Sequence, residues 1–198
     1  MEKLRLGILG SGKGSNFRAI QEAITRGEID AETAIVISDV EAAGILDFAR
    51  KFQVRAEYVC PGRFRTKLEP EAEERVTALL NESGVNLVVL AGYMRMVKDP
   101  LLSTFSGRMI NIHPSLLPAF PGLEAWKQAL AAGVPETGCT VHWVDNGMDT
   151  GPIIAQTKVP ILPTDTPETL HARIQQAEHQ LYPDVVKKIA TGRPASLI

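Results

Sequence analysis

Four groups of polar residues in this sequence are spaced for chemistry. Asn111 and His113 sit two apart in MINIHPSLLPAFPG, residues 109–122. Residues two apart on an extended backbone point to the same side, so an amide and an imidazole would work together. A strand that ends by placing an amide and an imidazole side by side, then enters a rigid loop, is how α/β enzymes mount chemistry. Pro114 then stops strand pairing, and Pro118 and Pro121 stiffen the loop that follows. The second group is GSGKGSN, residues 10–16, a glycine turn whose free N–H groups would face an anion. The third is Asp149 in DNGMDTG, residues 145–151, a carboxylate on a polar loop. The fourth is Glu178, which shares a helix face with Ile174 and Leu181. A carboxylate on an apolar face is expensive unless it is paired, used, or at the rim reaching solvent.

These groups need a scaffold, and the hydrophobic pattern supplies one. Residues 4–9 form a short apolar strand running straight into the glycine turn, after which Phe17, Ile20 and Ile24 recur at helical spacing with Asn16 as N-cap. Strands follow at 34–38, 55–59 and 87–90, and helices at 44–52 and 67–83; the strand at 87–90 is the most apolar. This alternation predicts an α/β fold with a mostly parallel central sheet and right-handed crossovers. Ligands on such sheets sit beyond the carboxyl ends of the strands, where GSGKGSN, AGYMRMV at 91–97 and NIHPS all fall. Toward the C-terminus a helix at 123–131 precedes strands at 139–144 and 153–159, close enough to form an antiparallel pair around the Asp149 loop. A last helix begins at Thr166-Pro167, and Pro183 should kink or end it.

The glycine turn leaves its ligand open. Gly14 stands where a Walker A loop needs a hydroxyl, so that motif fails. Ser15 stands where a dinucleotide fingerprint needs glycine or alanine, although Asp39 past the second strand could bind a ribose. The Asp-Thr-Gly triplet at 149–151 resembles that of aspartic proteases, which the α/β pattern and Pro152 oppose.

At 198 residues, 44% hydrophobic and 22% charged, the chain fits one well-cored domain. A net charge of −2 argues against a general nucleic-acid or membrane-surface binder. Cys60 and Cys139 form no metal-like cluster and fit a reduced, cytoplasmic protein. No apolar run approaches a membrane span, and the first residues lack the pattern of a signal peptide.

GSGKGSN, AGYMR, NIHPSLLPAFPG, VHWVDNGMDTGPII and QAEHQLYP together resemble the phosphoribosylglycinamide formyltransferases, folate-dependent enzymes of purine synthesis. The resemblance runs from residue 4 to about residue 190, with the blocks in the family's order. Asn-x-His…Asp is shared by the wider folate formyltransferase superfamily, whereas GSN and Pro114-Ser115 point to this member. It implies one Rossmann-like three-layer domain over residues 1–198, with a phosphate-binding half to about 100 and a catalytic and folate half beyond. It implies catalytic roles for Asn111, His113 and Asp149, and a glycinamide ribonucleotide site at Gly14, Ser15, Asn16 and Glu178. For 10-formyltetrahydrofolate it implies contacts from Lys67, Met94, Arg95, Met96, Val97, Asn111, Asp145, Asn146, Gly147, Met148 and Asp149, with Thr140 behind the histidine and no metal. Lys67 departs from an arginine common at that place, and lysine cannot reproduce the arginine fork. The implied partners are small molecules, not nucleic acid or membrane, in a monomer or homodimer.

Three other readings compete. A formyltetrahydrofolate hydrolase would use the same trio with water as acceptor, but would carry a regulatory domain before Met1. A methionyl-tRNA formyltransferase would carry an RNA-binding domain beyond Ile198, where this chain ends without a basic tail. A nucleotide-binding module without chemistry would use GSGKGSN and Asp39 and leave the trio unexplained.

Overall fold

Alternation along each strand decides which side chains meet which helices. In the computed structural model, which describes residues 3–192, β1 (Leu4–Leu9) sends Leu6 and Ile8 to one face of the sheet and Leu9 to the other. β2 (Ala31–Ser38) and β4 (Leu87–Leu90) divide in the same way, with Val36, Leu87 and Val89 on the first face and Ile35, Ile37, Val88 and Leu90 on the second. The first face is covered by α1 (Ser15–Thr25), α2 (Gly44–Lys51) and α6 (Pro167–Ala190), the second by α3 (Pro70–Glu82) and the short α4 (Leu101–Thr104). With β3 (Ala56–Tyr58), β5 (Met109–His113), β6 (Glu136–Trp143), β7 (Ile153–Pro160) and α5 (Ala125–Ala132), this makes three layers around one sheet. The sheet has seven strands in the order β3-β2-β1-β4-β5-β6-β7. β1 to β5 pair in parallel, and β6 is antiparallel to both β5 and β7. The α/β class, the mostly parallel sheet and the C-terminal antiparallel strands are as the pattern predicts.

The order reverses between β1 and β4, which opens a crevice at their carboxyl ends. Residues 10–16 leave β1 there, residues 91–97 leave β4, and Asn111 and His113 end β5 next door.

Several boundaries differ from the pattern. The cap of α1 is Gly14, not Asn16: the turn needs a left-handed residue (φ 80°), and a Cβ there would lie 2.8 Å from the Ile45 main chain. α3 starts at Pro70 rather than 67, because a residue before proline is pushed out of the helical region and Glu69 becomes the cap. β6 begins at Glu136, extended by pairing with β7 as far as Pro160. Thr166 does cap α6, in a reciprocal capping box with Thr169. Pro183 does not end that helix, which continues to Ala190. Tyr182, Val185 and Val186 are fully buried around the proline, and the Tyr182 hydroxyl donates to the carbonyls of Leu90 (2.9 Å) and Ile110 (3.2 Å). Core packing there outweighs one lost helical hydrogen bond. The expectations tied to what precedes Met1 or follows Ile198 lie outside the described residues.

Candidate active site

β5 delivers Asn111 and His113, and the antiparallel register with β6 sets His142 opposite Asn111 and Thr140 opposite His113. Asp149 arrives from the loop between β6 and β7. The three residues of the sequence trio converge: His113 Nδ1 lies 3.3 Å from Asp149 Oδ2, and Asn111 Nδ2 lies 3.5 Å from Asp149 Oδ1. His113 Nε2 lies 2.9 Å from the Phe120 carbonyl oxygen. Both ring nitrogens therefore face acceptors, and only the doubly protonated ring satisfies both. Asp149 also accepts the Gly122 N–H at 2.9 Å. Its burial works against its charge and is the largest single influence; the His142 ring, the Gly122 amide and the charge of His113 together outweigh it and hold the carboxyl below its ordinary 3.8.

His142 is the residue that sequence reasoning did not place. Its Nε2 lies 3.2 Å from Asn111 Nδ2 and 3.6 Å from Asp149 Oδ1, and its Nδ1 lies 2.9 Å from the Trp143 carbonyl oxygen. It is 3% exposed. Its position two residues after Thr140 on one strand face was the available signal. The register that sets it against Asn111 was not readable.

Thr140 works behind the histidine. Its hydroxyl donates to the Ser115 carbonyl (2.6 Å) and accepts from the Leu117 N–H (3.0 Å) and from Gln156 Nε2 (2.8 Å). One side chain thus shapes the chain immediately beyond His113. Ser115 adds a hydroxyl bond to the Ala119 carbonyl at 2.6 Å.

At the head of α1 no side chain caps the helix, so the amides of its first turn have no internal acceptor from a cap. Asn16 turns inward: its Nδ2 donates to Glu178 Oε2 at 2.8 Å, and its buried Oδ1 has no partner among the described residues. Glu178 is thus not at the rim; it is 6% exposed. Burial pushes its carboxyl up to about 7, while the bond from Asn16 works the other way. Gly14, Ser15, Asn16 and Glu178 form one neighbourhood, where an uncapped helix terminus and a buried amide and carboxyl present unused hydrogen-bonding capacity.

The remaining residues tie that neighbourhood to the segment after β4. The Ser11 hydroxyl donates to Asp39 Oδ1 (2.6 Å) and accepts the Met94 N–H (3.0 Å). Arg95 pairs with Asp39 Oδ2 at 2.5 Å and donates to the carbonyls of Phe64 (2.5 Å) and Lys67 (3.2 Å). Asp39 is therefore a strut holding three segments, not a free acid awaiting a ribose. The Arg95 side chain is committed likewise. Val97 packs into the core, Met96 bridges to Lys67 through the backbone, and the Lys67 ammonium stands over the Phe64 ring at 4.7 Å. Met94 and Met148 are exposed. Asp145 accepts from the Gly147 N–H (3.0 Å) and the Thr150 hydroxyl (2.7 Å), organising the loop that carries Asp149 and the exposed Asn146. Among the described residues no three His, Cys, Asp or Glu side chains are grouped as metal ligands, and no helix is long and apolar enough to cross a membrane.

An amide and an imidazole at a strand end with a loop carboxylate against them, and an uncapped helix terminus at the carboxyl edge of the same sheet, suit acyl transfer onto a nucleophile held by an anionic handle. The formyl transferase family model matches residues 4–186, and the chain belongs to that family. It is 43% identical over 185 residues to the phosphoribosylglycinamide formyltransferase of Bacillus subtilis, covering 93% of this chain and 94% of that one. The crystal structure of glycinamide ribonucleotide transformylase 1 from Symbiobacterium toebii superposes with a TM-score of 0.92 at 46% identity, over 96% of this chain and 89% of that one. A formyltetrahydrofolate deformylase from Pseudomonas syringae shares the fold at a TM-score of 0.88 but only 25% identity, and this chain spans 63% of it.

Proposed function

We propose that this enzyme transfers the formyl group of 10-formyltetrahydrofolate to the amine of 5'-phosphoribosylglycinamide, giving formyl-glycinamide ribonucleotide and tetrahydrofolate, a step of purine biosynthesis. The observation that carries the reading is the convergence of Asn111, His113 and Asp149, with the ring and carboxylate 3.3 Å apart. The substrate amine attacks the formyl carbon, forming a C–N bond and a tetrahedral intermediate whose oxygen is anionic. Asn111 donates an amide N–H to that oxygen. His113 stands between Asp149 and the Phe120 carbonyl, placed to supply a proton or positive charge beside it when protonated. Asp149 takes the proton the amine sheds, directly or through water, and passes it to the folate nitrogen as the old C–N bond breaks.

The phosphate sits on the amides of Gly14, Ser15 and Asn16, and Glu178 accepts from ribose hydroxyls; the inward pairing of Asn16 with Glu178 supports placing both at one ligand. The folate lies along residues 94–97 and 145–149 in the crevice, with exposed Met94 and Met148 as apolar cover and Lys67 at its margin. The reading carries with it a cytoplasmic enzyme with small-molecule partners, a monomer or homodimer, without a resident metal.

The test is formyl release from 10-formyltetrahydrofolate with and without the ribonucleotide. Release that requires the ribonucleotide supports the transferase. Equal release without it makes the protein a hydrolase and removes the phosphate assignment.

A further inference from the structure

The catalytic pair is held largely by main-chain groups of one loop. The Phe120 carbonyl faces His113 Nε2, and the Gly122 N–H donates to Asp149. That loop is bent against preference: Phe120 (φ 56°) and Glu124 (φ 55°) are left-handed without being glycine, on either side of Gly122 (φ 81°). Such residues persist only where their surroundings over-determine them. Gln128 on α5 supplies the restraint. Its Nε2 donates to the carbonyls of Pro121 (3.2 Å) and Leu123 (2.9 Å), straddling Gly122. α5 is itself seated on α6, where the Trp126 and His171 rings stack with centroids 3.7 Å apart and planes 2° from parallel.

We propose that Gln128, on a helix anchored by the Trp126–His171 stack, is a positioning residue that clamps the loop holding His113 and Asp149. The inference rests on the formyl-transfer reading above. Neither Gln128 nor the stacked pair touches the reacting groups, so the clamp acts on turnover and not on substrate affinity.

The test compares the intact enzyme with Gln128→Ala, Gln128→Glu, His171→Ala and His171→Phe. Gln128→Glu keeps the shape but loses both donors, and His171→Phe keeps the stack without the imidazole. Both Gln128 variants should lose kcat by roughly tenfold or more, since small misplacements of catalytic groups are costly, with KM for the ribonucleotide within about twofold. His171→Ala should fall in the same direction and His171→Phe should recover. The acid limb of the kcat profile should move to higher pH in the Gln128 variants, because Asp149 loses part of the Gly122 bond that helps keep it ionised. His113 from β5 and His142 from β6 are the titratable groups facing Asp149, so their ring nitrogens should be followed by NMR in the same samples. A changed His113 signal in folded Gln128→Ala supports the clamp without reference to activity. Wild-type-like kcat, pH limb and His113 signal in that variant would overturn it. Absence of transfer in the wild type would instead overturn the functional reading.

Discussion

Replacing Glu178 by glutamine should make this protein more stable at neutral pH and a poorer binder of the ribonucleotide. The side chain is 6% exposed and receives one hydrogen bond, from Asn16 Nδ2 at 2.8 Å. Burial raises its carboxyl from 4.5 to about 7, a penalty of about 3 kcal/mol on the charged form. The folded state holds this proton more tightly than the unfolded chain, so the neutral form is favoured by folding. The contribution is constant below pH 4.5, falls as pH rises from 4.5 through about 7, and is flat above. Glutamine cannot titrate and still accepts from Asn16, so the variant loses this slope. At about pH 8 it should exceed the wild type by up to about 3 kcal/mol, and at about pH 4.5 the two should nearly coincide. Glu73, also buried and raised to about 7, titrates in both proteins and cancels in the difference. Urea unfolding across this range measures the difference directly. A difference that does not grow with pH, or a variant less stable than wild type at about pH 8, would refute the reasoning. Above about pH 7, where Glu178 is ionised, the ribonucleotide KM should rise about tenfold in the variant, as loss of a charged acceptor to ribose hydroxyls implies. Greater stability with weaker binding marks a residue retained for its ligand.

Three other perturbations separate the parts of the site. Asp149→Asn should leave the circular dichroism spectrum unchanged and lower kcat by roughly two to four orders of magnitude, since it removes the charge that holds the imidazolium and takes the amine proton; a kcat near wild type would sink both roles. Gly14→Ala should destabilise by about 1–3 kcal/mol and raise the ribonucleotide KM, because the position is left-handed and a Cβ would lie 2.8 Å from the Ile45 main chain. Thermal unfolding and steady-state kinetics read those two effects. Thr140→Val strips partners from the Ser115 carbonyl, the Leu117 N–H and Gln156, which should cost roughly 2–3 kcal/mol and lower kcat through the loop beyond His113; an unchanged melting temperature would mean that water replaces the hydroxyl.

The sheet was readable because its strands are short apolar runs and each crossover is a helix of recognisable period, both local signals. Asn111 and His113 were readable for a related reason: a two-residue spacing on a strand is a statement about direction. The inward turn of Asn16 was not, since a polar residue opening a helix reads locally as a cap. Only the approach of a side chain 162 residues away, Glu178, gives it a different task. Asp39 and Arg95 illustrate the same limit, each chemically suited to a ligand and each spent on the other. Phe120 and Gly122 leave no side-chain trace at all, because what they contribute is a carbonyl and an amide placed by backbone angles. Pro183 shows the opposite error, a strong local rule overruled by burial on both sides of it. For Asn16, Asp39 and Arg95 the missing information is a contact distant in sequence. Long-range contacts are also what bring a strand end, a loop carboxylate and a helix terminus within reach of one another, so the parts of the site hardest to read are those that assemble it.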